Sequence, residues 1–255
     1  MTAPKVKRSP SGELLVERFS TPRRIEHIIA IITFATLVIT GLPQKFDGSN
    51  LGHWIIGALG GLDHTRYIHR IAGVVFSVHA VAHIMAFVVG LLTRKMRMSL
   101  IPVPQDLRDA WQNLMFYLGR VKKPPRLPKF DYRQKFEYIG MVMGGLVMVF
   151  SGLILMYPME IARMLPGETI PAALVAHSSE AVLALLVLVV WHMYSVILSP
   201  DVFPLDTSMF TGYMTAEELK HHHRAEYDEV FPDGQPDELA GELESVDLPK
   251  PRQNV

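Results

Sequence analysis

Four stretches of this 255-residue chain, at roughly Ile25–Leu42, Tyr67–Leu92, Phe136–Tyr157 and Ile170–Leu198, are almost free of charge and predominantly apolar. A helix needs about 20 such residues to cross the hydrocarbon core of a bilayer. The first stretch is the shortest, but Gly41, Leu42 and the flanking arginines place its ends at the interfaces. The pattern predicts an all-α integral membrane protein, a four-transmembrane-helix bundle over residues 25–198. A basic tail (1–24) would precede it and a charged tail (199–255) follow it. The remaining sequence is polar and Pro-rich, so no second globular domain is expected.

The formal net charge of +0 hides an asymmetry. Lys5, Lys7, Arg8, Arg18, Arg23 and Arg24 precede the first span, and eleven Lys or Arg lie between spans two and three, from Arg94 to Lys135. The first loop holds only Lys45 and Arg66, and the third only Arg163. Basic residues favour the cytoplasmic side of a membrane. Both termini and the loop 93–135 are therefore expected to be cytoplasmic, in a bacterial inner membrane, with the other two loops outside. "Inner" and "outer" below are labels only, for the side of the loop 93–135 and for the side opposite it. Residues 1–24 lack an apolar core before a cleavage site, so the first span is expected to act as its own insertion signal.

Outside the spans, Leu51–Leu62 reads as a short interfacial helix with His53 and Trp54 at headgroup level. In the inner loop, Leu107, Trp111, Leu114, Met115 and Leu118 recur at helical spacing, with Asp106 as N-cap and Gly119 as stop. This predicts an amphipathic helix on the inner membrane surface. Lys122-Lys123-Pro124-Pro125 reads as a linker, and His221-His222-His223 as a solvated run rather than a metal site.

The cysteine count is 0, which excludes disulfides, thiolate metal sites, cysteine-ligated iron–sulfur clusters and covalent haem attachment within this chain. Histidine is the remaining candidate ligand. Ionisable groups inside a span are costly and mark function by default. Span one opens with His27, span two carries His69, His79 and His83, and span four carries His177 and His192. His177 and His192 are fifteen residues apart, which puts them within about 60° of one helix face and roughly 22 Å apart along the axis. Two stacked haems in a helical bundle need such an arrangement. His69 and His83, fourteen apart, repeat it.

Depth pairs the outer residues: His69 and His177 fall at one level. The inner residue His192 has two possible partners, His27 and His83, and periodicity does not choose between them. His79 lies about 80° around the helix from His69 and is set aside. Arg66 and Arg70 flank His69 and suit haem propionates. Gly73 on span two and Gly140, Gly144, Gly145 and Gly152 on span three keep their helix faces shallow.

Arg24-Ile25-Glu26-His27, Ile68-His69-Arg70-Ile71-Ala72-Gly73, Trp191-His192-Met193-Tyr194 and the tail His221-His222-His223-Arg224-Ala225-Glu226-Tyr227 resemble the dihaem cytochrome b subunits of membrane-bound formate dehydrogenases. Nickel–iron hydrogenase cytochromes b and bacterial cytochrome b561 are more distant relatives. The resemblance covers about residues 18–230. It implies haem ligands at His27, His69, His177 and His192, which favours His27 for the inner haem. His83 departs from the pattern. Cytochromes b of quinol-oxidising complexes take both pairs from their second and fourth helices, an arrangement His83/His192 would match. The resemblance further implies a quinone site beside the inner haem at His27/His192, and an outer partner, either an iron–sulfur subunit or a multihaem cytochrome c.

The reading is an electron-transfer subunit of a membrane-bound oxidoreductase complex, with two haems b and quinone as substrate. Nothing in the chain suggests a nucleic-acid partner. A His-lined metal transporter would need carboxylates beside the histidines, and Glu26 and Glu180 are almost alone in the spans. A cofactor-free membrane anchor leaves the histidine pairing to chance.

Overall fold

The structure is a computed structural model that describes residues 5–93, 99–200 and 202–232. Residues 94–98 of the basic loop and the tail beyond Pro232 lie outside the described residues. The chain divides into two compact units, one of Ile25–Thr93 and Glu137–Asp206, the other drawn from Met1–Arg24, Arg94–Phe136 and Thr207–Val255.

The first unit contains the four expected spans: α1 (Thr21–Lys45), α3 (Leu62–Leu92), α5 (Tyr132–Met156) and α7 (Thr169–Leu198), all long and apolar enough to cross a membrane. Helices α1 and α5 begin outside it. Pro22 stands in the first turn of α1, where a missing N–H costs nothing. Between α1 and α3 lies α2 (Asn50–Ala58), whose first turn is capped by Ser49 accepting from Gly52 N–H at 3.0 Å. Gly60 and Gly61, at φ 86° and 98°, make the turn into α3. His53 therefore sits on a short helix, and His64 in the first turn of α3, where its Nδ1 donates to Gly60 O at 3.1 Å.

The membrane unit is apolar outside and small or hydroxylated inside. Ile32, Val78, Met85 and Val190 are exposed, whereas Thr33, Thr40, Thr65, Ala72, Ser151 and Ala173 are buried. Lipid tails are as apolar as leucine, so burying large side chains between spans gains nothing. Small residues allow close backbone approach instead. The fourth span departs from regular α geometry. After Leu186 its hydrogen bonds run i to i+5 through Val187–His192 and again through Tyr194–Leu198.

The second unit departs from the expectation of no second globular domain. Strands β1 (Val6–Arg8), β2 (Leu14–Glu17) and β3 (Tyr213–Thr215) form an antiparallel sheet in the order β1-β2-β3. Val6 pairs with Val16, and Val16 with Met214. Two short helices complete the chain order, α6 (Pro158–Met164) between α5 and α7, and α8 (Ser208–Thr211) before β3. Against the sheet pack α9 (Ala216–His222) and α10 (Arg224–Val230), and Val16, Leu219, Tyr227 and Phe231 form a small core. These apolar residues are few and scattered through polar sequence, so no periodic stretch announces them.

The inner-loop helix α4 (Pro104–Tyr117) starts earlier than expected. Val103 is its N-cap, and Asp106, in the first turn, accepts from Val103 N–H at 2.6 Å. Gly119, at φ 70°, follows its end. Its polar face points inward: Asp106 receives Lys135 Nζ at 2.7 Å, and Asn113 donates to Tyr132 at 3.0 Å. Leu107 and Trp111 stay 77% and 63% exposed.

His223 is likewise not solvated. Its Nδ1–H donates to Pro128 O at 2.8 Å, and its Nε2 accepts from Arg18 at 3.1 Å. Arg18 also donates to Glu226 and, at 2.9 Å, to Lys129 O. Burial, then the neighbouring Arg18 guanidinium, lowers the His223 pKa from 6.5 to about 4. The folded unit holds His223 neutral, so as pH falls from about 6.5 towards 4 the unfolded chain takes up a proton that the folded one refuses. Stability is complete above the first value and declines towards the second, by at most on the order of 3 kcal/mol. Hydrogen exchange over residues 213–231 should show opening that becomes easier across this window, and His223→Gln should remove that pH dependence.

Candidate functional site

Two histidine pairs face each other inside the membrane unit. His69 of α3 and His177 of α7 have ring centroids 6.3 Å apart, with their planes at 80°. His27 of α1 and His192 of α7 lie 6.2 Å apart, at 49°. Two imidazole nitrogens on opposite sides of one metal ion, each about 2 Å from it, put their ring centres about 6.3 Å apart. Both observed separations fit that span.

Three of the four rings have an anchored Nδ1. The Thr40 hydroxyl lies 2.8 Å from His69 Nδ1 and donates its own proton to Thr36 O at 2.6 Å. A hydroxyl has one proton, so Thr40 must accept from His69 Nδ1–H. Ser151 repeats the arrangement: it donates to Val147 O at 2.5 Å and accepts from His177 Nδ1–H at 2.9 Å. The Glu137 carboxylate, which can only accept, lies 2.6 Å from His192 Nδ1. In neutral His69, His177 and His192 the Nε2 lone pair is therefore available to a metal. His27 differs, since its buried Nδ1 has no hydrogen-bond partner among the described residues.

The outer pair also depends on glycine. A Cβ at Gly41 would lie 2.9 Å from His69 Cε1, and one at Gly152 3.3 Å from His177 Cε1. A Cβ at Gly144 would meet the Glu180 carboxylate, which would have to move aside. Gly145 makes ordinary contact, and a Cβ at Gly73 or Gly140 would meet no atom within 4 Å. Protein packing does not require these last two glycines.

The π-turn sets the register of the inner pair. In an unbroken α-helix the fifteen residues from His177 to His192 leave them about 60° apart. At about 4.4 residues per π turn, the last five steps rotate about 90° less, bringing His192 to about 30° on the other side.

His83 is occupied elsewhere. Its Nδ1 lies 3.2 Å from Glu26 Oε2 and its Nε2 3.1 Å from the Tyr138 hydroxyl, while the His79 ring sits 6.5 Å away. Arg66 and Arg70 are exposed on the first turns of α3, at the His69 end of the helix. Sequence reasoning missed Thr40, Ser151, Glu137, Tyr138 and Gly41, because each matters through a contact between helices that a single-helix period does not encode.

Among the described residues, no three His, Asp or Glu converge to hold a metal ion. The donors come in opposed pairs. A pair suits a metal whose other positions are filled by a macrocycle, and a bare divalent ion would need more ligands.

The family model for prokaryotic cytochrome b561 matches residues 18–212. Among curated relatives, the formate dehydrogenase cytochrome b556(fdo) subunits of Escherichia coli strains K12, O6:H1 and O157:H7 are each 25% identical over 220 residues, covering 84% of this chain and 93% of the relative. The opposed intramembrane histidines and the extent of the family match agree: the chain belongs to the prokaryotic cytochrome b561 family, as a multi-pass membrane cytochrome b that binds haem b and transfers electrons.

Proposed function

We propose that His27 with His192, and His69 with His177, each hold one haem b, and that the chain passes electrons between an outer redox partner and a quinone beside the inner pair. The observation that carries this reading is the pair of centroid separations, 6.2 and 6.3 Å, each spanning one bis-imidazole site. The haems, when bound, supply one-electron carriers at two depths. The chain's part is to hold and orient the ligands. Thr40, Ser151 and Glu137 fix three rings through Nδ1, and Gly73 and Gly140 leave their faces open to a flat macrocycle. Arg66 and Arg70 are the propionate partners. His83 is a poor rival ligand, because Tyr138 engages its Nε2 and Glu26 its Nδ1.

The charge asymmetry supports an inner-membrane location with both termini cytoplasmic. Helix α4, its polar face satisfied and its apolar face exposed, is suited to the inner lipid surface. The named relatives are subunits of formate dehydrogenase. By that likeness this chain works beside redox partner subunits, and the outer one is an iron–sulfur subunit or a multihaem cytochrome c.

A pyridine haemochrome assay on the purified chain should give about two haems b, and one or none would refute the pairing. His27→Ala should abolish the inner low-spin signal in paramagnetic resonance, while His83→Ala keeps both signals; the reverse result would move the inner ligand to span two. Glu137→Gln should raise the inner potential by on the order of tens of millivolts, since it removes a negative charge from the His192 Nδ1–H. Ser49→Cys should react with an impermeant thiol reagent from outside intact cells, and Ser99→Cys should not. Equal labelling would overturn the orientation.

A further inference from the structure

The second span carries one imidazole that the proposed haem pairs do not use and that no protein hydrogen bond satisfies among the described residues. His79 is half-buried on α3 and has no hydrogen-bond partner among the described residues. Its ring packs 6.5 Å from that of His83, at 36°. His79 lies thirteen residues from the nearer end of α3, deep in the apolar span and beyond the reach of an imidazole to the interface. An imidazole left with unmet polar atoms in hydrocarbon is costly, so its partner has to arrive within the apolar phase.

That requirement selects a chemistry. A phospholipid headgroup stays at the interface, and a charged ligand is excluded from the membrane interior. A quinone is uncharged, dissolves in hydrocarbon and presents two ring oxygens. The protonated nitrogen of a neutral imidazole donates to the carbonyl of the oxidised form, and the other nitrogen accepts from the hydroxyl of the reduced form. The adjacent His83 does not satisfy it, being already held by Glu26 at 3.2 Å and by Tyr138 at 3.1 Å. Glu26 directly precedes His27, so this polar cluster adjoins the inner pair.

We infer that His79 is the residue that binds the quinone head group, hydrogen-bonding one of its oxygens from span two, with the Glu26–His83–Tyr138 cluster as the rigid wall behind it. The inference rests on the quinone reading above and adds the contact residue.

The test uses the full haem-loaded chain in lipid nanodiscs. Dithionite-reduced haem is mixed with decylubiquinone or a dimethylnaphthoquinone and its re-oxidation is followed. In parallel, an azidoquinone is photolysed and the labelled peptides are mapped. Wild type should label on the peptides that carry His79 and Tyr138. His79→Leu should keep its haem content and spectrum, lose about tenfold in apparent affinity and lose the label, as expected for one hydrogen bond between neutral groups. His79→Gln, which restores a donor, should recover most of both. Unchanged affinity and labelling in His79→Leu, in a chain that accepts electrons from haem onto quinone, overturns this inference and leaves the quinone reading intact. A label that maps to other spans does the same, and leaves His79 facing a neighbouring protein helix. Failure of both quinones to re-oxidise wild-type haem overturns the quinone reading together with this one.

Discussion

The membrane unit depends on how an imidazole is held inside hydrocarbon. A histidine proposed as a haem ligand must offer one lone pair and have its other nitrogen satisfied. In three of the four cases the satisfying group comes from a different span: Thr40 of α1 for His69 of α3, Ser151 of α5 for His177 of α7, and Glu137 of α5 for His192 of α7. Each of these hydrogen bonds fixes a tautomer and also joins two helices. Ligand orientation and helix packing are therefore one interaction, and a substitution at Thr40 or Ser151 affects both.

The two units solve opposite solvent problems. The spans expose Ile, Val, Leu and Met and bury hydroxyls and small residues, because lipid already solvates the apolar side chains. The second unit buries Val16, Leu219, Tyr227 and Phe231 in the way a water-facing domain does. It also buries charge, with Arg18, Glu226 and His223 inside. That arrangement is tolerable because Arg18 has a carboxylate, a carbonyl and a neutral imidazole as acceptors. Helix α4 is intermediate in character, with its charged face inside the unit and Leu107 and Trp111 outside.

His83 shows why histidine content and ligand identity are separate questions. By depth it suits a second ligand pair on span two. A ligand needs a free nitrogen, however, and the Tyr138 hydroxyl and the Glu26 carboxylate take both of its nitrogens. Tyr138 belongs to a span with no histidine of its own, so nothing in the periodicity of span two points to it.

The number of spans, their approximate limits and the histidine-rich second and fourth helices were legible in the sequence, because hydropathy and a 3.6-residue period are properties of one segment at a time. The depth match of His69 with His177 followed from the same arithmetic. The fifteen-residue step to His192 did not, since the π-turn that corrects its angle is a hydrogen-bonding choice that sequence spacing leaves open. Nor did the need for Gly41, the hydroxyl anchors at Thr40 and Ser151, the Glu137 contact, or the folding of the flanking segments into a unit with its own core. All of these arise where residues distant in sequence meet. Only the tertiary structure decides which side chains share a volume, and the lone pairs, packing and protonation of these histidines depend on that choice.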